Sequence, residues 1–169
     1  MKAIEKYDII IEKYPYYESL NVRLMEDYRN ANFNKDYKTT VYGKHSDFFT
    51  KSPNIDKVVE WIKSLICNDY PYLKEYVLIN GNSWFVGYDV GDYSASHDHI
   101  PWLFSWIYYL NTPEGSAPLV FTTSGKKITA EEGKVVIFPS LMRHGVSKNR
   151  CKDRMALVGN IIAKPLPKW

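Results

Sequence analysis

From Tyr76 to Ile162 the sequence is a succession of short runs rich in Val, Ile, Phe, Tyr and Trp, separated by Gly, Asn, Asp, Pro and Ser. The runs are "YVLI", "SWFVGYDV", "LFSWIYYL", "APLVFT", "GKVVIFP", "RHGVS" and "RMALVGNII". β-Branched and aromatic residues in segments of this length, with turn residues roughly every ten positions, predict about seven strands in an antiparallel sandwich or barrel. The part before Tyr76 reads differently. Leu20, Leu24, Met25 and Tyr28 recur at helical spacing. "SPNIDKVVEWIKSLIC" sets Ile55, Val58, Val59, Ile62, Leu65 and Ile66 on one stripe, behind Ser52 and Pro53 at a plausible helix start. The expected fold is α+β: a double-stranded β-helix (jelly roll) core over residues 76–163, braced by a helical support region over residues 1–75.

No linker or internal repeat divides the 169 residues, so a single domain over 1–169 is expected. With 45% hydrophobic residues the chain can bury a core. The opening "MKAIEKYDIIIEKYPYYESL" has only "DIII" as an apolar run, which suits neither a signal peptide nor a membrane span. A cytoplasmic protein with no membrane partner is the expectation. Cys67 and Cys151 are too few for a disulfide framework and are expected as reduced thiols. A net charge of +3 argues against nucleic acid as a partner, since such domains carry a dense basic stripe. The local exception runs from Arg143 to Arg154, with five basic residues against Asp153 alone, and a solvated turn accounts for it equally well. Oligomeric state is not written in any motif.

Two of the four histidines fall in "SHDH". In an extended segment, alternation puts His97 and His99 on one face and Asp98 on the other. A third, His144, lies in a later strand of the same β region. Imidazole binds Fe, Zn, Cu, Ni and Mn, and a His-x-His pair with a distant His can cap one face of a metal site. A hydrogen-bonded or surface pair is the plainer alternative. His45 has no such partner in the sequence and is expected in a loop.

Arg154 adds to this. "HGVS" and "DRMALVGN" are strand-like, with "KNRCKD" between them, so a hairpin symmetric about Asn149 would place His144 opposite Arg154 on one face. An inward guanidinium requires an anion, because a buried lone charge is strongly unfavourable. A carboxylate held bidentately is the natural partner. An acidic residue of the protein, or simple surface exposure of the Arg, would also satisfy it.

These residues together resemble the Fe(II)- and 2-oxoglutarate-dependent oxygenases, in particular the prolyl-4-hydroxylase-like branch and its small bacterial and phage members. The resemblance covers roughly Trp84 to Ile161. It rests on "HDH" followed by "IYYLN", on "EEGKVVIFPSLMRHGVS", and on an Arg ten residues after the last His. It implies Fe(II), 2-oxoglutarate as co-substrate and O₂. It further implies hydroxylation of a C–H bond in a peptide, protein or small-molecule substrate, with succinate and CO₂ as co-products. His97 and His144 then become metal ligands, Arg154 binds the distal carboxylate of 2-oxoglutarate, and Tyr109 helps to hold it. No catalytic residue beyond the metal centre is implied.

The sequence departs from the family pattern at two positions. Where the family has an acidic ligand this chain has His99, so either His97, His99 and His144 form a three-histidine site or Asp98 turns inward in place of His99. In the first case Asp98 could instead orient a histidine through its second ring nitrogen. Where many relatives have Arg-x-Ser this chain has Ala156, which leaves Tyr109 or Ser105 to supply a hydroxyl to the co-substrate. Trp84, Tyr88, Trp102 and Trp106 could wall the pocket, or simply pack the core. A cupin-like three-histidine dioxygenase without 2-oxoglutarate, and a non-enzymatic jelly-roll binding module, stand as rivals.

Overall fold

The computed structural model describes residues 7–33 and 39–166. Helix α1 (Tyr17–Asn30) lies between β1 (Ile10–Lys13) and β2 (Val41–Tyr42), and α2 (Pro53–Asp69) follows β3 (Lys44–His45). A short 3-10 segment at Pro71–Glu75 leads into β4 (Tyr76–Tyr88), β5 (Tyr93–His97), β6 (Phe104–Asn111) and β7 (Leu119–Phe121). The chain ends with β8 (Lys126–Ile128), β9 (Lys134–Pro139), β10 (His144–Val146) and β11 (Arg154–Pro165). These strands form two antiparallel sheets, in the orders β1-β9-β6-β11-β4-β3 and β2-β5-β10-β7-β8.

Alternation along the larger sheet splits the core in two. Trp84, Val86, Tyr88, Ile107, Tyr109 and Val136 meet Leu119, Phe121 and Val146 of the smaller sheet. Phe85, Trp106, Tyr108, Leu110, Val135 and Ile137 face the other way, onto the helices. From α1, Leu20, Leu24 and Tyr28 are buried there, as its spacing predicts. From α2, the buried set is Ile55, Val58, Val59, Ile62 and Ile66. Ser52 caps α2, accepting from the Ile55 N–H at 3.1 Å, and Pro53 occupies the first turn, where its missing N–H costs nothing.

The structure differs from the sequence expectations in three places. The support region is not only helical, because β1, β2 and β3 each pair with a strand of the β core. These strands are two to four residues long, too short to show alternation, and they become extended because a sheet edge offers them partners. "YVLI" and "SWFVGYDV" are one 13-residue strand, β4. The intervening Gly81 is the extra residue of a bulge, with Asn82 opposite Asn160 and Asn80 opposite Ile161. A Cβ at Gly81 would stand 2.2 Å from the Trp102 ring, so the turn-like "NGN" is a packing accommodation.

The third difference concerns the segment around Asn149. β10 lies between β5 and β7 in the smaller sheet and β11 between β6 and β4 in the larger, so no hairpin pairs His144 with Arg154. The segment crosses from sheet to sheet, and Asn149 is buried as its pin. Its side-chain amide donates to the carbonyls of Cys151 at 2.7 Å and Tyr88 at 3.0 Å, and its Oδ1 accepts from the Ala117 N–H at 3.0 Å. Cys151 is buried in this crossover, and both cysteines are free thiols. No helix among the described residues is long and apolar enough to cross a membrane.

Candidate functional site

The crossover still brings His144 and Arg154 to the interior between the sheets, from opposite sides. In the smaller sheet His144 stands opposite His97 in the β10–β5 register. His99 lies just beyond the end of β5, and its N–H donates to the Ser140 carbonyl at 2.9 Å, tying it to the turn that leads into β10. The result is a cluster in which one ligand atom from each of His97, His99 and His144 lies within 4.8 Å of the others. It is the group of at least three potential metal ligands found among the described residues.

The local hydrogen bonds set the tautomers of two of these rings. His97 Nδ1 lies 2.8 Å from the Ala95 carbonyl, and His144 Nδ1 lies 2.9 Å from the Met142 carbonyl. A carbonyl only accepts, so the proton sits on Nδ1 in both and the Nε2 lone pair is left for a ligand. Burial holds all three rings neutral. It depresses His97, and with the neighbouring histidines it lowers His99 to about 4 and His144 to about 3.

Asp98 is not part of the cluster. Its carboxylate lies 3.5 Å from Arg143 and accepts from the Ile100 N–H at 3.4 Å, at the exposed edge of the site. It orients no histidine ring either, since backbone carbonyls do that for His97 and His144. His45, expected in a loop, is a buried residue of β3 stacked on Trp84 at 5.6 Å. Trp84 in turn lies 5.9 Å from the His99 ring.

In the larger sheet Arg154 is fully buried. Its launching residue, Asp153, has φ of 59°, a left-handed conformation that Asp tolerates better than most side chains. The Arg154 guanidinium lies 4.9 Å from the Tyr88 ring centroid and 5.4 Å from that of Tyr109, and Nε donates to the Ala117 carbonyl at 3.0 Å. Its two terminal nitrogens and the Tyr109 hydroxyl have no hydrogen-bond partner. Burial pushes both phenols up, Tyr88 to about 12, while the Arg154 charge pulls the other way. Ala156 stands opposite Tyr109 in the β11–β6 register, so the position lacking a hydroxyl faces the phenol expected to replace it.

Ser105 does not join this group. It lies four residues along β6 from Tyr109, opposite Asn160, and its hydroxyl is committed to Ser140 and Asn160, both at 2.8 Å. Alternation divides the four aromatics suggested as walls. Trp84 and Tyr88 line the cavity that the histidines share with Val86, Ile107 and Val158. Trp106 belongs to the helix-side core and reaches the cavity where it packs over Gly159, whereas Trp102 covers Gly81. The hold of Asn149 on Ala117, and so on Arg154, was missed. Its only signal is an Asn centred in a polar segment, which reads as an ordinary turn.

The architecture is shared with solved oxygenases. A prolyl-4-hydroxylase of Pseudomonas putida superposes with a TM-score of 0.70 at 17% identity, over 92% of each chain. The viral collagen prolyl hydroxylase of Paramecium Bursaria Chlorella virus-1, solved as its 2-oxoglutarate complex, gives 0.67 at 15% identity, over 93% of this chain and 96% of that one. This chain has their fold. A prolyl hydroxylase of Trichoplax adhaerens, in complex with a hypoxia inducible factor peptide fragment, gives 0.66 at 15% identity, over 90% of this chain and 82% of that one. No protein-family model matches the sequence, and a search of curated proteins finds no match.

Proposed function

We propose that this protein is an Fe(II)- and 2-oxoglutarate-dependent dioxygenase, built on a double-stranded β-helix core, that hydroxylates a C–H bond of a peptide or other substrate. The observation that carries the reading is the buried Arg154, with two terminal nitrogens lacking partners, over the ring of Tyr88, which lines the cavity of three mutually close histidines. A guanidinium so placed requires an anion, and among the described residues no carboxylate reaches it.

The residues fit the implied groups. His97, His99 and His144 would hold the metal as neutral nitrogen ligands, and Arg154 with Tyr109 would take the distal carboxylate of 2-oxoglutarate. Once bound, iron and 2-oxoglutarate supply the oxidising power for the C–H bond, with O₂ consumed and succinate and CO₂ released. The chain's own part is to bind, orient and exclude water. The Ala95 and Met142 carbonyls keep two imidazoles in the ligating tautomer. Ala117 fixes the guanidinium, and the apolar side chains lining the cavity keep the site dry. A peptide substrate is favoured by the likeness to the Trichoplax enzyme, which was solved with one.

The deciding experiment is anaerobic addition of Fe(II), then 2-oxoglutarate, to the apoprotein while the visible spectrum is recorded. A charge-transfer band that needs both additions and disappears in Arg154→Ala supports the proposal. Metal binding without a band in the wild type overturns it in favour of a three-histidine dioxygenase that does not use 2-oxoglutarate. Failure of Fe(II), Mn(II) and Zn(II) to bind or to stabilise the protein favours a binding module.

A further inference from the structure

Buried polar atoms without a hydrogen-bond partner among the described residues fall into three places. Tyr28 belongs to the helix-side core, and so does Trp106, which reaches the histidine cavity only where its ring packs over Gly159. Tyr109 and Arg154 form the carboxylate pocket already assigned. Trp84 remains: it lines the histidine cavity, and its Nε1–H finds no acceptor.

The indole is fixed in place. His45 stacks on it with ring planes 19° apart, Phe48 meets it at 5.1 Å and His99 at 5.9 Å, and the residue is only 5% exposed. An indole N–H donates and cannot accept, so leaving it buried without an acceptor is unfavourable. In the β4–β11 register Trp84 stands opposite Val158, whereas Tyr88 stands opposite Arg154. Four residues of strand, ~13 Å, separate the two positions. An acceptor for Trp84 therefore belongs to a different group from the carboxylate held at Arg154.

We propose that Trp84 is a substrate-binding residue whose Nε1–H donates to a neutral carbonyl oxygen, the amide oxygen of a peptide-like substrate, at the end of the cavity away from Arg154. This rests on the reading of the histidine cluster as an Fe(II)/2-oxoglutarate site. The cavity lining selects a neutral acceptor. No Lys or Arg lines the cavity, and Arg143 nearby is already engaged by Asp98 and by the Ser96 carbonyl at 3.0 Å. A carboxylate at Trp84 would sit among Val41, Val158 and Phe138 with no basic side chain of the lining to pair with it.

The test uses full-length protein loaded with Zn(II) and 2-oxoglutarate and labelled with ¹⁵N at its five tryptophans, with the Trp84 indole resonance identified by its loss in Trp84→Phe. N-acetylproline methylamide is titrated in parallel with N-acetylproline, which carries a free carboxylate in place of one amide. The expected result is a saturable downfield shift of the Trp84 Nε1–H with the diamide. Calorimetry should show about tenfold weaker diamide binding in Trp84→Phe, which keeps an aromatic ring and removes the donor. An unmoved Trp84 resonance, equal diamide binding by Trp84→Phe, or tighter binding of the acid than of the diamide overturns the assignment. The Fe(II)/2-oxoglutarate charge-transfer band separates the two readings. With the band present and the Trp84 resonance unmoved, this inference alone fails; with the band absent, the parent reading fails too.

Discussion

His144 of β10 faces His97 of β5 across an antiparallel strand pair, with ring centroids 4.5 Å apart and each Nδ1 on a backbone carbonyl two residues earlier. Two imidazoles are thus set by sheet register and His99 by its bond to Ser140, which makes the cluster a property of two chain segments, residues 97–99 and 140–144. His99→Ala is expected to weaken Fe(II) or Zn(II) binding beyond the roughly 10–100-fold typical of losing an outer-shell partner. Asp98→Asn, which weakens the contact with Arg143 and removes a charge beside the cluster but no member of it, should leave metal affinity within a few-fold of wild type. Metal titration by calorimetry checks both, and a loss centred on Asp98 would reassign the third ligand.

Arg154 makes a prediction of opposite sign for stability and for binding. Its charge is fully buried with two nitrogens lacking partners, and replacing buried charge by packed apolar volume is often neutral or stabilising by about 1–4 kcal/mol. Arg154→Met should therefore melt at or above the wild-type temperature as metal-free protein while losing 2-oxoglutarate binding. Thermal melts with and without 2-oxoglutarate measure the two effects together.

Asn149 should behave as a structural pin with a functional consequence. Asn149→Ala removes buried hydrogen bonds to Tyr88, Cys151 and Ala117, each group left unsatisfied costing about 1–3 kcal/mol. Urea unfolding should show a loss of that order. Because Ala117 also anchors the Arg154 Nε, 2-oxoglutarate affinity should fall while metal affinity holds.

The metal-free protein should be acid-sensitive. All four histidines have lowered pKa values, chiefly through burial, with His99 near 4 and His144 near 3 against an ordinary 6.5. Between those limits the unfolded chain binds more protons than the folded one, so stability is fully present above about 6.5 and is lost as pH falls through the folded values. Melting temperatures from pH 7.5 to 4.5 should drop steadily below pH 6.5. A flat profile would mean that these rings are not desolvated.

Much of this molecule was legible in order along the chain. Ser52, Pro53 and the 3.6-residue stripe of α2 specify a helix by local chemistry alone, and His-x-His next to a strand announces two rings on one side. The inward guanidinium at Arg154 is expected from a hairpin with His144 that does not form; its burial comes instead from the place of β11 between β4 and β6. Other features depend on which segments meet, and no local pattern encodes that. The text of "RHGVSKNRCKDRMALVGN" suits a hairpin; burial of the Asn149 amide against Tyr88 and Ala117 makes it a crossover between sheets. Alternation separates Trp84 from Phe85 by face, yet only the packing of one sheet face on helices and the other on the second sheet decides which lies in the cavity. The placement of Asp98 and His99 depends on Arg143 and Ser140, 45 and 41 residues further along in sequence, which hold the carboxylate at the edge of the site and the imidazole in the cluster. Periodicity and capping act within a turn or two of backbone and so are written locally, whereas register and burial are settled only when distant strands compete for the same partners.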